Sequence, residues 1–484
     1  MARPQNLLIL GGLLWGCLAA GAKPAFTASE IEGTGTAVLF CDLDGDHLKD
    51  AVLIGSSNVC VYFQDPKQGF SRQPQLQFKL DDRPATVWPA RLGQTAESLL
   101  VMTSEGVTQL DFTNRTSPPV SHQIIQQPTI IPESGEPNVL SLSLSAKTGT
   151  AWPLLLVPVA AGLQVWQYRG QWQQAQFIEH ALNTRHAPSI SPGYDVRYNF
   201  SVCLTDTRGS GRDDLMIKRD AAGAEIYTLY LQGTNGLFNL EPALSYTNVD
   251  DWHTTVNWND INHDGRLDLI KSTFSDEPSF VPGLQSSKVL VAEYLADGHG
   301  QIPARPQQVF RKSDWSGFLP MTDLDGDGLM DLVLGYLPID ARDGLRNMIT
   351  AGQVNLTLRF HFFRPGTGFP KEPDCQCQLP VYFDKDLVWS TQNRIYYERF
   401  VSLNGDFNGD GKKDILVRDR SDAISVYCFN SRESGFSRKP DVQFACPETM
   451  GGWAIQDLNG DGISDLVVKL RGEDIYRVFT SQGK

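Results

Sequence analysis

The chain has 484 residues, 41% hydrophobic and 20% charged, with 43 Gly and 28 Pro. This is globular composition and excludes a disordered or fibrous chain. A formal net charge of −14 argues against nucleic acid as a partner, because phosphate binding needs a basic face.

Residues 1–22 read as a secretory signal. Arg3 gives a short basic start, Leu7 to Leu18 is mostly apolar, and Ala20-Gly21-Ala22 offers small residues for cleavage. The alternative is a lipoprotein signal at Leu14-Trp15-Gly16-Cys17, which would leave a lipid anchor on Cys17. Either reading predicts an exported protein: periplasmic, cell-surface or secreted. No later stretch reaches about 18 consecutive apolar residues, so no transmembrane span is expected. Residues 23–484 are expected to form a single domain. They keep seven cysteines, at 41, 60, 203, 375, 377, 428 and 446. A Cys428–Cys446 disulfide and buried free thiols both fit this pattern.

Two units recur along the chain. One is an acidic loop followed by a short apolar strand; it begins at Asp42, Asp260, Asp323, Asp406 and Asp457, with a degraded copy at Asp206. Faint copies at Ala90 to Met102 and Leu140 to Pro158 keep only the apolar ends. The other is a hairpin with a Gly-Phe turn. Gly69-Phe70-Ser71-Arg72-Gln73-Pro74 and Gly435-Phe436-Ser437-Arg438-Lys439-Pro440 match closely, and weaker copies run over Leu229 to Tyr246, Val289 to Phe310 and Leu356 to Leu379.

Each unit thus predicts four strands: A before the acidic loop, B after it, then C and D in the hairpin. No segment has helical periodicity. The expectation is an all-β fold, a β-propeller of four-stranded blades. Eight blades are favoured, or seven if one faint unit is not a blade. The last unit stops after its C strand (Ile475 to Thr480), and a spare extended segment near Pro24 to Ile31 is predicted to complete that blade.

The acidic loops fit Asp-x-[Asp/Asn]-x-Asp-Gly-x-x-Asp. The five copies place Asp42, Asp44, Asp46 and Asp50; Asp260, Asn262, Asp264 and Asp268; Asp323, Asp325, Asp327 and Asp331; Asp406, Asn408, Asp410 and Asp414; and Asp457, Asn459, Asp461 and Asp465 at positions 1, 3, 5 and 9. Position 7 offers the carbonyls of Leu48, Arg266, Leu329, Lys412 and Ile463. The first copy has His47 where the others carry Gly at position 6. Ca²⁺ takes 6–8 oxygen ligands, and a tight curl permitted by Gly converges these side chains into an oxygen cage. Unpaired, the carboxylates repel. Four or five structural Ca²⁺ sites are expected, and none at the Asp206 loop, which has Arg208 and Ser210 at positions 3 and 5. An EF-hand is excluded because position 12 is apolar or Lys rather than Glu and helical flanks are absent.

Acidic loop, apolar strand and Gly-Phe hairpin together resemble the FG-GAP/VCBS repeats of integrin α-subunit propellers and many bacterial exported proteins. The resemblance implies structural Ca²⁺ on the A–B loops, and adhesion or ligand binding to a protein or carbohydrate more often than catalysis.

In a propeller, A–B and C–D turns share one face and the longer B–C and D–A connections the other; here those are read as loops at 272–287 and 335–353 (B–C) and around 186–199, 247–256, 311–317 and 381–399 (D–A). Aromatic and polar side chains crowd those connections: Tyr194, Arg197, Tyr198, Trp252, His253, Trp315, Trp389, Arg394, Tyr396 and Tyr397. They are candidate ligand-binding residues, although Trp252 and Trp315, each eight residues before a loop Asp, also suit packing between blades. No Gly-x-Ser-x-Gly or His-Glu-x-x-His signature occurs. A binding or adhesion module is therefore the first expectation. A polysaccharide lyase or hydrolase on a calcium-stabilised propeller is the alternative, and a structural subunit of an envelope complex a third.

Overall fold

In the computed structural model, the residues described are 25–33, 37–55, 57–80, 86–130, 144–150, 152–182, 184–188, 194–198, 200–221, 223–249, 254–278, 285–318, 321–336, 352–382, 400–446, 450–470 and 473–483. Among them there is no helix. The strands form eight antiparallel blades of a β-propeller. Blade 1 runs Ala37–Cys41, Asp50–Ile54, Asn58–Tyr62, Leu76–Lys79. Blades 2, 3 and 4 begin at Thr86, Ser145 and Phe200, and blade 7 at Val401.

The ring closes as the sequence predicts. Blade 8 is built from Met450–Gln456, Asp465–Leu470 and Ile475–Ser481, and its fourth strand is Phe26–Glu32 from the other end of the chain. That strand pairs from Phe26↔Ser481 to Glu32↔Ile475, and the Arg477 guanidinium donates to Glu30 Oε1 at 2.7 Å.

Two connections differ from expectation. The D–A segment 311–317, read from sequence as a loop, lies within a continuous strand, Gln308–Phe318. Its first half pairs with blade 5 (Val291↔Phe310) and its end with the B strand of blade 6 (Phe318↔Leu334), so blades 5 and 6 share one seven-stranded sheet. The B–C segment 272–287 likewise forms paired strands, Asp268–Pro278 against Gln285–Tyr294. A polar run such as Lys312-Ser313-Asp314 reads as a loop; it falls at the register shift between Arg311 and Trp315, an irregularity after which the strand passes from blade 5 to blade 6.

Strand B carries the core of each blade. Asp50–Ile54 and Ser98–Thr103 are buried at every residue, because neighbouring blades cover both faces; hence the continuous apolar runs instead of alternation. The core is a set of inter-blade seams. Val52, Val61 and Phe63 of blade 1 pack on Val87 and Leu99 of blade 2; Leu53 and Tyr62 meet Ile31 and Val478 of blade 8; Phe360 of blade 6 meets Ile415 and Phe436 of blade 7.

The Gly-Phe turn now has a physical reason. Phe436 sits 4.7 Å from the Phe360 ring of the preceding blade, and Phe70 packs beside Ile31 of blade 8. Gly69 takes φ +70, and a Cβ there would come within 3.1 Å of Ser29 Oγ on the closing strand. The cysteines at 41, 60, 203, 375, 377, 428 and 446 are not joined to one another by disulfides, and Cys428 and Cys446 are buried; of the two readings left open by the sequence, the structure has the thiols.

Candidate metal-binding loops

The five acidic loops share one backbone design. The position 1 carboxylate turns inward and accepts N–H groups from positions 4 to 6: Asp406 takes Gly409 (2.6 Å), Asp410 (3.2 Å) and Gly411 (2.7 Å), and Asp323 takes Gly326 (2.8 Å), Asp327 (3.1 Å) and Gly328 (2.8 Å). The position 7 residues donate their N–H to the position 5 carboxylate: Leu48 to Asp46, Arg266 to Asp264, Leu329 to Asp327, Lys412 to Asp410, Ile463 to Asp461.

The curl demands left-handed backbone at positions 4 and 6. Position 6 has φ +78 at Gly265, +87 at Gly328, +83 at Gly411 and +80 at Gly462, and His47 adopts φ 72 in its place. Position 4 has the same requirement, met by Gly45, Gly326, Gly409 and Gly460 and by His263 at φ 57. The loop motif predicts the first requirement and not the second.

Position 9 pins each loop to its blade. Asp50, Asp268, Asp331, Asp414 and Asp465 are fully buried. One oxygen of each accepts the N–H of position 2 (Leu43, Ile261, Leu324, Phe407, Leu458; 2.7–3.0 Å). The other accepts an N–H at the end of strand C or just beyond it (Gln64, Ala296, Phe363, Phe429, Ser481; 2.7–3.0 Å). Burial pushes the Asp50, Asp331 and Asp414 carboxyls up to about 7, and Asp268 and Asp465 to about 6. The two N–H bonds oppose the rise and the other loop carboxylates add to it.

The loops also link blade to blade. Backbone N–H groups cross between adjacent loops from Lys49 to Leu458 (2.7 Å), Met330 to Ile261 (3.0 Å), Lys413 to Leu324 (2.8 Å) and Ser464 to Asp406 (2.7 Å). Loop conformation and the blade seams are therefore coupled.

Two arginines that sequence reasoning missed reach into the loops from the next blade. Arg115 donates to Asp44 (2.5 Å) and Asp46 (2.7 Å); Arg432 donates in the same way to Asp325 and Asp327. In the degraded loop, Arg208 at position 3 turns onto its own position 9 carboxylate, with Nη2 2.7 Å from Asp214 Oδ1, so that loop holds a cation supplied by the protein.

The donor set fits a hard divalent cation. Oxygens of Asp42, Asp44 and Asp50 lie within 4.8 Å of one another, as do those of Asp323, Asp325 and Asp327. Two oxygens each about 2.3–2.6 Å from one Ca²⁺ can lie no more than about 5 Å apart. Asp325 Oδ1 is buried with no hydrogen-bond partner, while Oδ2 takes Arg432. A buried carboxylate oxygen without a donor is costly, and a cation in the loop would satisfy it.

Tyr194, Arg197 and Tyr198 lie on a strand, Tyr194–Tyr198, that pairs with Thr184–Pro188 in a ribbon between blades 3 and 4. Trp315 lies on the shared strand, opposite Lys288. Trp252, His253, Trp389, Arg394, Tyr396 and Tyr397 lie outside the described residues.

Repeated blades, a two-ended closure and acidic A–B loops define the class: an eight-bladed β-propeller. Residues 406–468, the blade 7 loop through strand B of blade 8, match the family model described as FG-GAP-like repeat. Over those residues the chain carries an FG-GAP-like repeat, set within an eight-bladed β-propeller. No curated protein sequence matches it. Among solved structures it is similar to a lectin of Agrocybe aegerita that recognises non-reducing terminal N-acetylglucosamine. That match has 14% identity and a TM-score of 0.40, covering 72% of this chain and 86% of that one. It is also similar to BBS1N in complex with ARL6DN, at 9% identity and a TM-score of 0.34, covering 95% of this chain and 98% of that one. Among the described residues no helix is long and apolar enough to cross a membrane.

Proposed function

We propose that the protein is an exported binding module whose propeller is stiffened by Ca²⁺ held in the A–B loops of blades 1, 5, 6, 7 and 8. The side chains at positions 1, 3, 5 and 9 supply the oxygens, with the position 7 carbonyls of Leu48, Arg266, Leu329, Lys412 and Ile463 completing the set. The observation that carries the cation reading is the buried, unpartnered Asp325 Oδ1 among the convergent carboxylates of its loop. Repetition of the same curl in five loops supports it, as does the run of inter-loop hydrogen bonds that ties loop order to blade seams.

The ligand is a protein or a carbohydrate, bound on the face opposite the calcium loops, where the B–C and D–A connections concentrate aromatic, carboxylate and guanidinium groups. Longer connections on a rigid frame are the usual place for recognition. The test has two parts. Ca²⁺ added to chelator-treated protein should raise the melting temperature, and a screen of oligosaccharides and surface-protein ectodomains should yield a ligand whose binding is lost in a Trp252/His253/Tyr396 alanine variant. A melt indifferent to Ca²⁺ would refute the cation role; ligand binding unchanged in the variant would refute the placement.

A further inference from the structure

The five loops fall into two groups, and the division coincides with the inter-blade arginines. Loops 1 and 6 carry Asp at position 3 (Asp44, Asp325); loops 5, 7 and 8 carry Asn (Asn262, Asn408, Asn459). Among the described residues, the two Asp loops are the two that receive an arginine from the next blade. In each, Nε takes position 3 and Nη2 takes position 5. Each guanidinium also lies over a Phe of the blade it reaches, Arg115 5.4 Å from the Phe63 ring and Arg432 5.3 Å from the Phe362 ring. Two separate seams, 1/2 and 6/7, thus repeat the same constellation of arginine, phenylalanine and two aspartates.

The Asn loops do without it. The Asn262 and Asn459 amides donate to the outer oxygen of position 5, at 3.3 and 3.1 Å, which is part of what the guanidinium does elsewhere. Arg266 of loop 5 bonds Asp264 without bridging to position 3. Arg364, in the turn of blade 6 that neighbours the Asn262 loop, pairs with Asp374 of its own blade. An arginine in this turn is therefore directed to the neighbouring loop where position 3 is a carboxylate.

We propose that Arg115 and Arg432 are inter-blade counter-charges. Each offsets the fourth carboxylate of its loop, so that four carboxylates with a guanidinium present the same formal charge as the three carboxylates of an Asn loop, and each fastens the next blade's turn to that loop. The proposal rests on the cation reading above. It has a definite sign: guanidinium and metal share the same carboxylates, and like charges oppose each other. Removing the arginine weakens the seam without metal and strengthens metal binding at that loop.

The test uses the full chain, melted after passage over chelating resin and again in saturating Ca²⁺. Arg115→Gln should melt below wild type without metal, gain more from Ca²⁺ than wild type does, and bind the loop 1 ion about three- to tenfold more tightly by calorimetric titration. Asp44→Asn added to Arg115→Gln reproduces the Asn-loop donor set and should return both the metal-free melt and the Ca²⁺ gain toward wild type. Arg432→Gln with Asp325→Asn repeats the test at the second seam if the first variant fails to fold. A wild-type melt unmoved by Ca²⁺ would overturn the cation reading. A wild type that responds, with Arg115→Gln losing the same number of degrees in both buffers and Asp44→Asn deepening the loss, would overturn the counter-charge inference alone.

Discussion

The strongest quantitative consequence concerns pH. Asp50, Asp331 and Asp414 have their carboxyls pushed up to about 7, and Asp268 and Asp465 to about 6, whereas the unfolded chain ionises them near 3.9. Between those limits the folded state holds protons that the unfolded state has released, so stability falls as pH rises through the window. Each pH unit of displacement corresponds to about 1.36 kcal/mol, so a group at about 7 contributes a loss of up to about 4 kcal/mol once ionised. Stripped of metal, the protein should therefore melt at a lower temperature at pH 8 than at pH 5, with most of the fall between about 5 and 7. On the proposed cation reading, Ca²⁺ would bind the ionised carboxylates and offset this loss, so the melting-temperature gain from Ca²⁺ should be small at pH 5 and large at pH 8. Calorimetric melts at half-unit pH steps, with resin-stripped protein and with excess Ca²⁺, measure both slopes. A metal-free melt that rises or stays flat from pH 5 to 8, or a Ca²⁺ gain independent of pH, refutes the reasoning.

Two further outcomes follow from single positions. His47 holds a left-handed backbone (φ 72) where the other loops have Gly; a non-Gly residue there costs roughly 1–2 kcal/mol, partly recovered through the lower entropy of its unfolded state. His47→Gly should thus stabilise the protein by about 0.5–1 kcal/mol in urea unfolding and tighten Ca²⁺ binding at loop 1; a less stable variant would count against the strain argument. Ile31 is fully buried at the seam that joins the two chain ends. Ile31→Ala should cost about 2–5 kcal/mol and expose residues 25–33 to protease before any other blade; a loss under about 1 kcal/mol would deny that strand its closing role.

Much of the architecture was legible in the residues because the physics repeats. Acidic loops and Gly-Phe turns recur where left-handed curls and inter-blade phenylalanines are needed, and the missing last strand pointed to Phe26–Glu32. Blades 2 and 3 were faint because their loops have lost the acids and only apolar strands such as Ser98–Thr103 and Leu154–Val159 remain as a signal. The strand shared by blades 5 and 6 was illegible because its polar middle resembles a loop. The arginine constellations were hidden by distance along the chain: Arg115 lies 71 residues from Asp44, and Arg432 lies 107 residues from Asp325. Aligning the C–D turns against the identity of loop position 3 would have revealed them. The position 9 aspartates are read from sequence as cage ligands; what the structure shows of them is that they pin strand C to the loop through two N–H bonds.

The central claim is that the aspartate loops of blades 1, 5, 6, 7 and 8 are cation cages that stiffen the ring. Its most direct test is to count tightly bound Ca²⁺ per chain by equilibrium dialysis and to locate the ions by anomalous scattering. The account predicts about five, one in each of these loops and none in the Asp206 loop, where Arg208 already holds the position 9 carboxylate. A protein that binds no Ca²⁺ in large excess, or binds it only away from these loops, would contradict the account.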